Sequence, residues 1–120
     1  MKYILLIHET AGTREQFVSD AGAELMAEID VIMKELGESG ELVGGEGLAD
    51  PSQSRTVRVQ GGQRVTTDGP FAEAKEHLGG YLIVECESID RATEIAQRWP
   101  ILGSGALEVR PLMGQSGEEM

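Results

Sequence analysis

The sequence predicts an α+β domain with two helices over one face of a mainly antiparallel sheet, in the order β-α-β-β-α-β with a hairpin inserted before the third core strand. Three observations carry this expectation. The chain opens on a continuous apolar run, Lys2-Tyr3-Ile4-Leu5-Leu6-Ile7-His8, while Leu25, Ile29, Ile32 and Leu36 recur at helical spacing. Thr56-Val57-Arg58-Val59-Gln60 and Gln63-Arg64-Val65-Thr66-Thr67 flank Gly61-Gly62, the two-residue connection of a tight hairpin.

The first run reads as a central strand buried on both faces, with His8 at its end. Thr13 and Gln16 have the spacing of a capping box, so a helical turn is expected to start there. The main helix is expected from about Asp20 to Ser39, with Met26 and Met33 beside its apolar stripe, acids opposite and Gly40 as the stop. Leu42, Val43 and Leu48 then mark a strand through Gly44-Gly45-Glu46-Gly47, whose missing side chains predict a bulge or the close approach of another group; Asp50-Pro51-Ser52 closes it.

After the hairpin, Gly69-Pro70 predicts a tight turn opening into a short polar helical turn, with Gly79-Gly80 letting the chain re-enter the sheet. From Gly80 to Glu87 a strand puts Leu82, Val84 and Cys86 on one face, so Cys86 is expected in the core. Ser88 caps a second helix with Ile89, Ala92, Ile95, Ala96 and Trp99 on one stripe, ended by Pro100. A last strand is expected over Ala106 to Leu112, with Leu107 and Val109 inward, so the domain spans residues 1–113 and 114–120 form a flexible tail.

One sheet face would remain uncovered in this plan, and a protein of this size is expected to hide it against a second copy of itself as a homodimer. At 120 residues the chain is one domain's worth, and 40% apolar with 26% charged residues is ordinary for a folded globular protein. A net charge of −11 opposes phosphate backbones and anionic bilayers, so neither nucleic acid nor membrane is expected as a partner. Arg55, Arg58 and Arg64 cluster against that overall sign, as an anion contact or as a solvated strand face. A lone cysteine and no leader ahead of the first strand give a cytoplasmic expectation, and the run Tyr3 to Ile7 is too short to span a bilayer.

No GxGxxG, Walker loop, Gly-x-Ser-x-Gly elbow, HExxH or paired CxxC is present, so no nucleotide cofactor or zinc is expected. His8-Glu9 with Glu73 and His77 could be drawn as a metal set, but such spacing is common on exposed helices, and no metal is expected. Acid–base chemistry needs a group that titrates near neutrality, which narrows the search to the two histidines, His8 and His77, with Asp68 as the acid to pair with either. Asp68 could equally serve only to accept backbone N–H groups across its turn, with Phe71 as an apolar anchor. Glu46, Gly69, Pro70, Phe71, Lys75 and Tyr81 complete the candidate residues, as a binding set for a small polar molecule near the Asp68 to His77 segment.

Asp68-Gly69-Pro70-Phe71-Ala72-Glu73-Ala74-Lys75-Glu76, followed by Leu78-Gly79-Gly80-Tyr81, closely resembles the signature of the DGPF-type proteins within the YCII-related family. Met1-Lys2-Tyr3, Gly45-Glu46-Gly47-Leu48, Thr56-Val57-Arg58 and Val109-Arg110-Pro111-Leu112 resemble further landmarks of that family. The resemblance implies a ferredoxin-like fold that pairs as a dimeric α/β barrel. It implies a small enzyme using a histidine on the first helix and an aspartate after the second strand; Asp50 matches that aspartate, but the first helix here has no histidine, which directs attention back to Asp68 with His8 or His77. DGPF-type proteins are also often encoded beside alternative sigma factors, which implies, as the alternative, a non-catalytic regulatory or accessory module with a sigma factor as partner.

Overall fold

The alternation of Tyr3, Leu5 and Ile7 along β1 (Lys2–Thr10) organises the domain, because these side chains point to the face on which the helices lie. The computed structural model describes residues 1–114 other than 11, 73, 74 and 102, and only the backbone of residues 14, 18, 20 and 21. The tail expected over 114–120 therefore lies outside the described residues beyond Gly114.

β1 leads through α1 (Thr13–Val18) and α2 (Asp20–Ser39) to β2 (Leu42–Gly47), and Pro51–Gln53 forms a single 3-10 turn. The hairpin β3 (Arg55–Gln60) and β4 (Gln63–Asp68) precedes β5 (Glu76–Glu85), α3 (Ile89–Arg98) and β6 (Ala106–Pro111). Four strands pair in the order β2-β5-β1-β6, each pair antiparallel, while β3 and β4 form a separate two-stranded sheet. This α+β arrangement is compatible with a ferredoxin-like fold.

Local chemistry accounts for most boundaries. Gly40 ends α2 in the left-handed conformation, φ 81°, with its N–H on the Leu36 and Gly37 carbonyls. Gly61 and Gly62 both have positive φ, which the tight hairpin turn requires and glycine supplies without strain. Ser88 caps α3 by accepting the Arg91 N–H at 3.2 Å. Asp50 accepts from the Ser52 N–H at 3.0 Å and its hydroxyl at 2.6 Å, fastening the 3-10 turn.

The core forms where Leu5, Leu82 and Val84 of the sheet meet Ile32 and Leu36 of α2 and Ala92 and Ile95 of α3. Leu5, Leu36, Leu82, Val84 and Ile95 are fully buried, and burying each such side chain is worth about 1.5–3 kcal/mol. Cys86 is buried in the same cluster, as the alternation of its strand predicts. β1 is central, between β5 and β6, but it is buried on one face only: Ile4, Leu6 and His8 point the other way and are half-buried.

Two local expectations are corrected. The capping box at Thr13 does not form; Gly12 occupies the cap position, and Thr13 Oγ1 instead accepts the Thr10 N–H at 3.2 Å. Among the described residues the polar helical turn after Pro70 is not seen either, since Phe71, Ala72 and Lys75 are in bends and Glu76, His77 and Leu78 already belong to β5; residues 73 and 74 lie outside the described residues. Thr10 pairs with Glu76 and Glu9 with His77, so ladder bonding to an extended β1 starts β5 early. β1 itself runs two residues past His8.

Between the end of α2 and α3, Arg91 makes a two-pronged contact with Glu41, both N···O distances being 2.8 Å, and Ser39 Oγ donates to the same carboxylate at 2.8 Å. The Arg91 hydrogen bonds hold the Glu41 carboxyl down at about 2, against the opposing effect of burial, and push the Arg91 guanidinium up. A folded-state value below the ordinary 4.5 means that the stabilisation is complete above that pH and disappears as pH falls towards 2. Arg91→Ala is expected to cost about 1 kcal/mol at pH 7 in urea unfolding. Repeating the titration from pH 7 down to 2 should show the gap between parent and variant closing.

Candidate functional site

Glycines in the sheet open a cleft beneath α2. Gly47 pairs with Gly80 and Gly45 with Leu82, so on the helix-facing side two neighbouring strands carry almost no side chains at that end. The glycines are also required sterically: a Cβ at Gly45 would lie 2.6 Å from the Tyr81 carbonyl oxygen, and one at Gly80 would lie 2.9 Å from that of Glu46. Register shifts accompany this approach, with Val43 the extra residue of β2 and Gly79 the extra residue of β5, which bears out the bulge or close contact read from Gly44-Gly45-Glu46-Gly47.

The resulting cleft holds about 400 Å³, with Met26, Ile29 and Met33 of α2 as its roof and Phe17 and Trp99 among its walls. Its lining is mainly apolar. Glu9, the next inward position after Tyr3, Leu5 and Ile7, brings a carboxylate to it. That carboxylate is 19% exposed and stands 3.4 Å from Nε2 of His77, the residue directly opposite on β5. Gly79 makes room for it, since a Cβ there would overlap the Glu9 carboxyl group. The structure thus places a carboxylate and an imidazole together at one end of an apolar cleft, an arrangement capable of binding a donor group or relaying a proton.

The residues singled out from sequence are distributed over three places. His77 is in the pair just described, and Glu46 and Tyr81 border the cleft, although strand alternation gives their side chains to the opposite sheet face. His8 faces away on β1, with Nε2 3.6 Å from Glu108. Asp68 is exposed and lies 3.8 Å from Arg55, and no hydrogen bond or ion pair joins it to either histidine among the described residues. Gly69, Pro70, Phe71 and Lys75 do not line the cleft. Their turn instead fastens the base of the hairpin: Gly69 N–H donates to Ser54 O at 2.7 Å, Thr56 Oγ1 donates to Gly69 O at 2.8 Å, and Arg58 lies 5.2 Å over the Phe71 ring while donating to its carbonyl at 3.3 Å.

Asp50 holds its own 3-10 turn. Of the metal set drawn from sequence, Glu73 lies outside the described residues, and among the described residues no three His, Cys, Asp or Glu side chains converge. No helix among the described residues is long and apolar enough to cross a membrane.

The profile of the YCII-related domain family matches residues 1–115. Uncharacterized protein R00369 of Rhizobium meliloti (strain 1021) is 28% identical over 114 residues, which cover 93% of this chain and 92% of that protein.

Proposed function

The chain belongs to the YCII-related family, and for this member we propose that it binds a small, mainly apolar molecule with one cationic or proton-donating end in the cleft beneath α2. Glu9 receives that end and His77 steadies it. The observation that carries this reading is the largely buried Glu9 carboxylate at the end of an apolar cleft, with an imidazole as its neighbour. Desolvation makes such a carboxylate a strong acceptor, so a donor group on the ligand gains more there than in water. In a catalytic version of the same geometry, a ligand proton passes to a Glu9 oxygen while Nε2 of His77 holds the other oxygen in place.

Within the family, the run Asp68-Gly69-Pro70-Phe71 supports assignment to the DGPF type. The sheet face bearing Ile4, Leu6, Tyr81 and Ile83, half-buried and carrying no helix among the described residues, supports a face-to-face homodimer closing into an α/β barrel.

Trp99 is the only tryptophan and lines the cleft, so its fluorescence reports occupancy. Titration with 1-adamantylmethylamine and its neutral counterpart 1-adamantylmethanol is expected to shift the emission with both, the amine binding at least about tenfold tighter. Glu9→Gln should remove the preference while leaving the alcohol's affinity unchanged. No response to either probe, or a preference that survives Glu9→Gln, would refute the reading.

A further inference from the structure

The β3–β4 hairpin is a projecting arm. Beyond their mutual pairing, neither strand packs extensively against another element, and the hydrogen bonds described above tie the arm down only near its base. The radius of gyration, 16.4 Å, exceeds the roughly 14 Å expected of a compact chain of this length. Two-stranded sheets without a further layer are marginally stable in water, yet this one exposes an apolar pair, Val57 and Val59, at 62% and 69%. Arg55 shares their face of β3, where Asp68 stands opposite it, and Val59 pairs across the hairpin with Arg64. With three arginines against Asp68, residues 54–69 carry a charge of +2, while the rest of the chain, seven basic against twenty acidic residues, carries −13.

A surface of opposite character lies on the same chain. Val31, 54% exposed, projects from α2 one or two helical turns from Glu24, Glu28 and Glu38, all exposed. It too is an apolar centre inside a charged rim, here mainly acidic: Lys34 is the one basic side chain beside Val31 on α2, and Glu35 is engaged by Arg98. We propose that the β3–β4 arm docks through Val57 and Val59 on the outer face of α2 of a second copy, centred on Val31, with Arg55 and Arg64 facing the Glu24, Glu28 and Glu38 rim. Burying the valines gives the arm the layer it lacks, and the reversed rims set register and discourage self-pairing of arms. This contact uses the helical side of the domain, so it is independent of any pairing through the uncovered sheet face.

Sedimentation equilibrium of the full chain between 20 and 500 mM NaCl tests it. Association through the arm is expected to weaken as salt rises, and to fall at least about tenfold with Val59→Glu or Arg64→Glu, both on exposed positions that leave the core intact. Combining Arg64→Glu with Glu28→Arg should restore it. A sheet-face dimer alone would be indifferent to these changes, while loss of sheet-face pairing would leave the response of the arm variants in place. Association that ignores salt, Val59→Glu and Arg64→Glu, or a chain with no salt-sensitive association at all, overturns the proposal.

Discussion

Leu5→Ala is expected to lower unfolding stability by about 3–4 kcal/mol, the largest single-residue effect anticipated for the core. Leu5 is fully buried on the central strand, opposite Leu82 on one side and Val109 on the other, with the helices above it. Little nearby can collapse into the space a truncation leaves, because the flanking strands are held by ladder hydrogen bonds. Urea unfolding should show a lower midpoint with an unchanged slope. The neighbouring Leu6→Ala gives the contrast. Leu6 faces the uncovered side and is only half-buried, so its truncation should cost much less in dilute protein. If that face pairs with a second copy, the cost of Leu6→Ala should grow with protein concentration, while that of Leu5→Ala should not.

Gly45→Ala and Gly79→Ala are expected to separate stability from binding. At Gly45 the new methyl would press on the Tyr81 carbonyl, a fixed backbone group, and shifting it should cost about 2 kcal/mol. At Gly79 the obstruction is the end of the flexible Glu9 side chain, so folding should lose no more than about 1 kcal/mol while the carboxylate is driven from His77. Loss of at least tenfold in 1-adamantylmethylamine affinity by Gly79→Ala, read through Trp99, would accompany near-parental urea stability. Equal damage to both properties would mean that Glu9 has no special position in the cleft.

Most of the architecture was legible because its signals are local. Ser88, Gly40 and Gly61-Gly62 act through their own side chain or backbone freedom, and each does in the structure what its chemistry predicts. Thr13 was misleading because a threonine hydroxyl has several backbone partners within reach, and here the Thr10 N–H wins. The stretch before Gly79 has no decisive period, and the partner that draws Glu76 and His77 into a strand lies some 67 residues earlier in the chain.

The site was half legible. His77 stands out as one of two histidines, while its partner Glu9 enters only through the metal set and not as a site acid, because a lone acid at the end of an apolar run reads as the strand emerging into solvent. The signal that finds it is parity: if Tyr3, Leu5 and Ile7 point inward, so does Glu9. Asp68 and Phe71 drew attention for their density of unusual residues, and the structure shows that density fastening the arm.

The register shift between β1 and β5 has a consequence for how such a site could arise. Val84, Leu82 and Gly80 face Tyr3, Leu5 and Ile7, so an unbroken count would bring Leu78 opposite Glu9. Gly79 takes up one extra position, and the alternation changes phase behind it, turning Leu78 outward and His77 inward. The same chain paired without the bulge would keep its strands, its neighbours and its cleft, but would present the isobutyl group of Leu78 to the Glu9 carboxylate. The bulge at Gly79 thus decides which of two side chains meets Glu9, and a shift of register that irons it out would exchange an acid–base end for a greasy one without any change of fold.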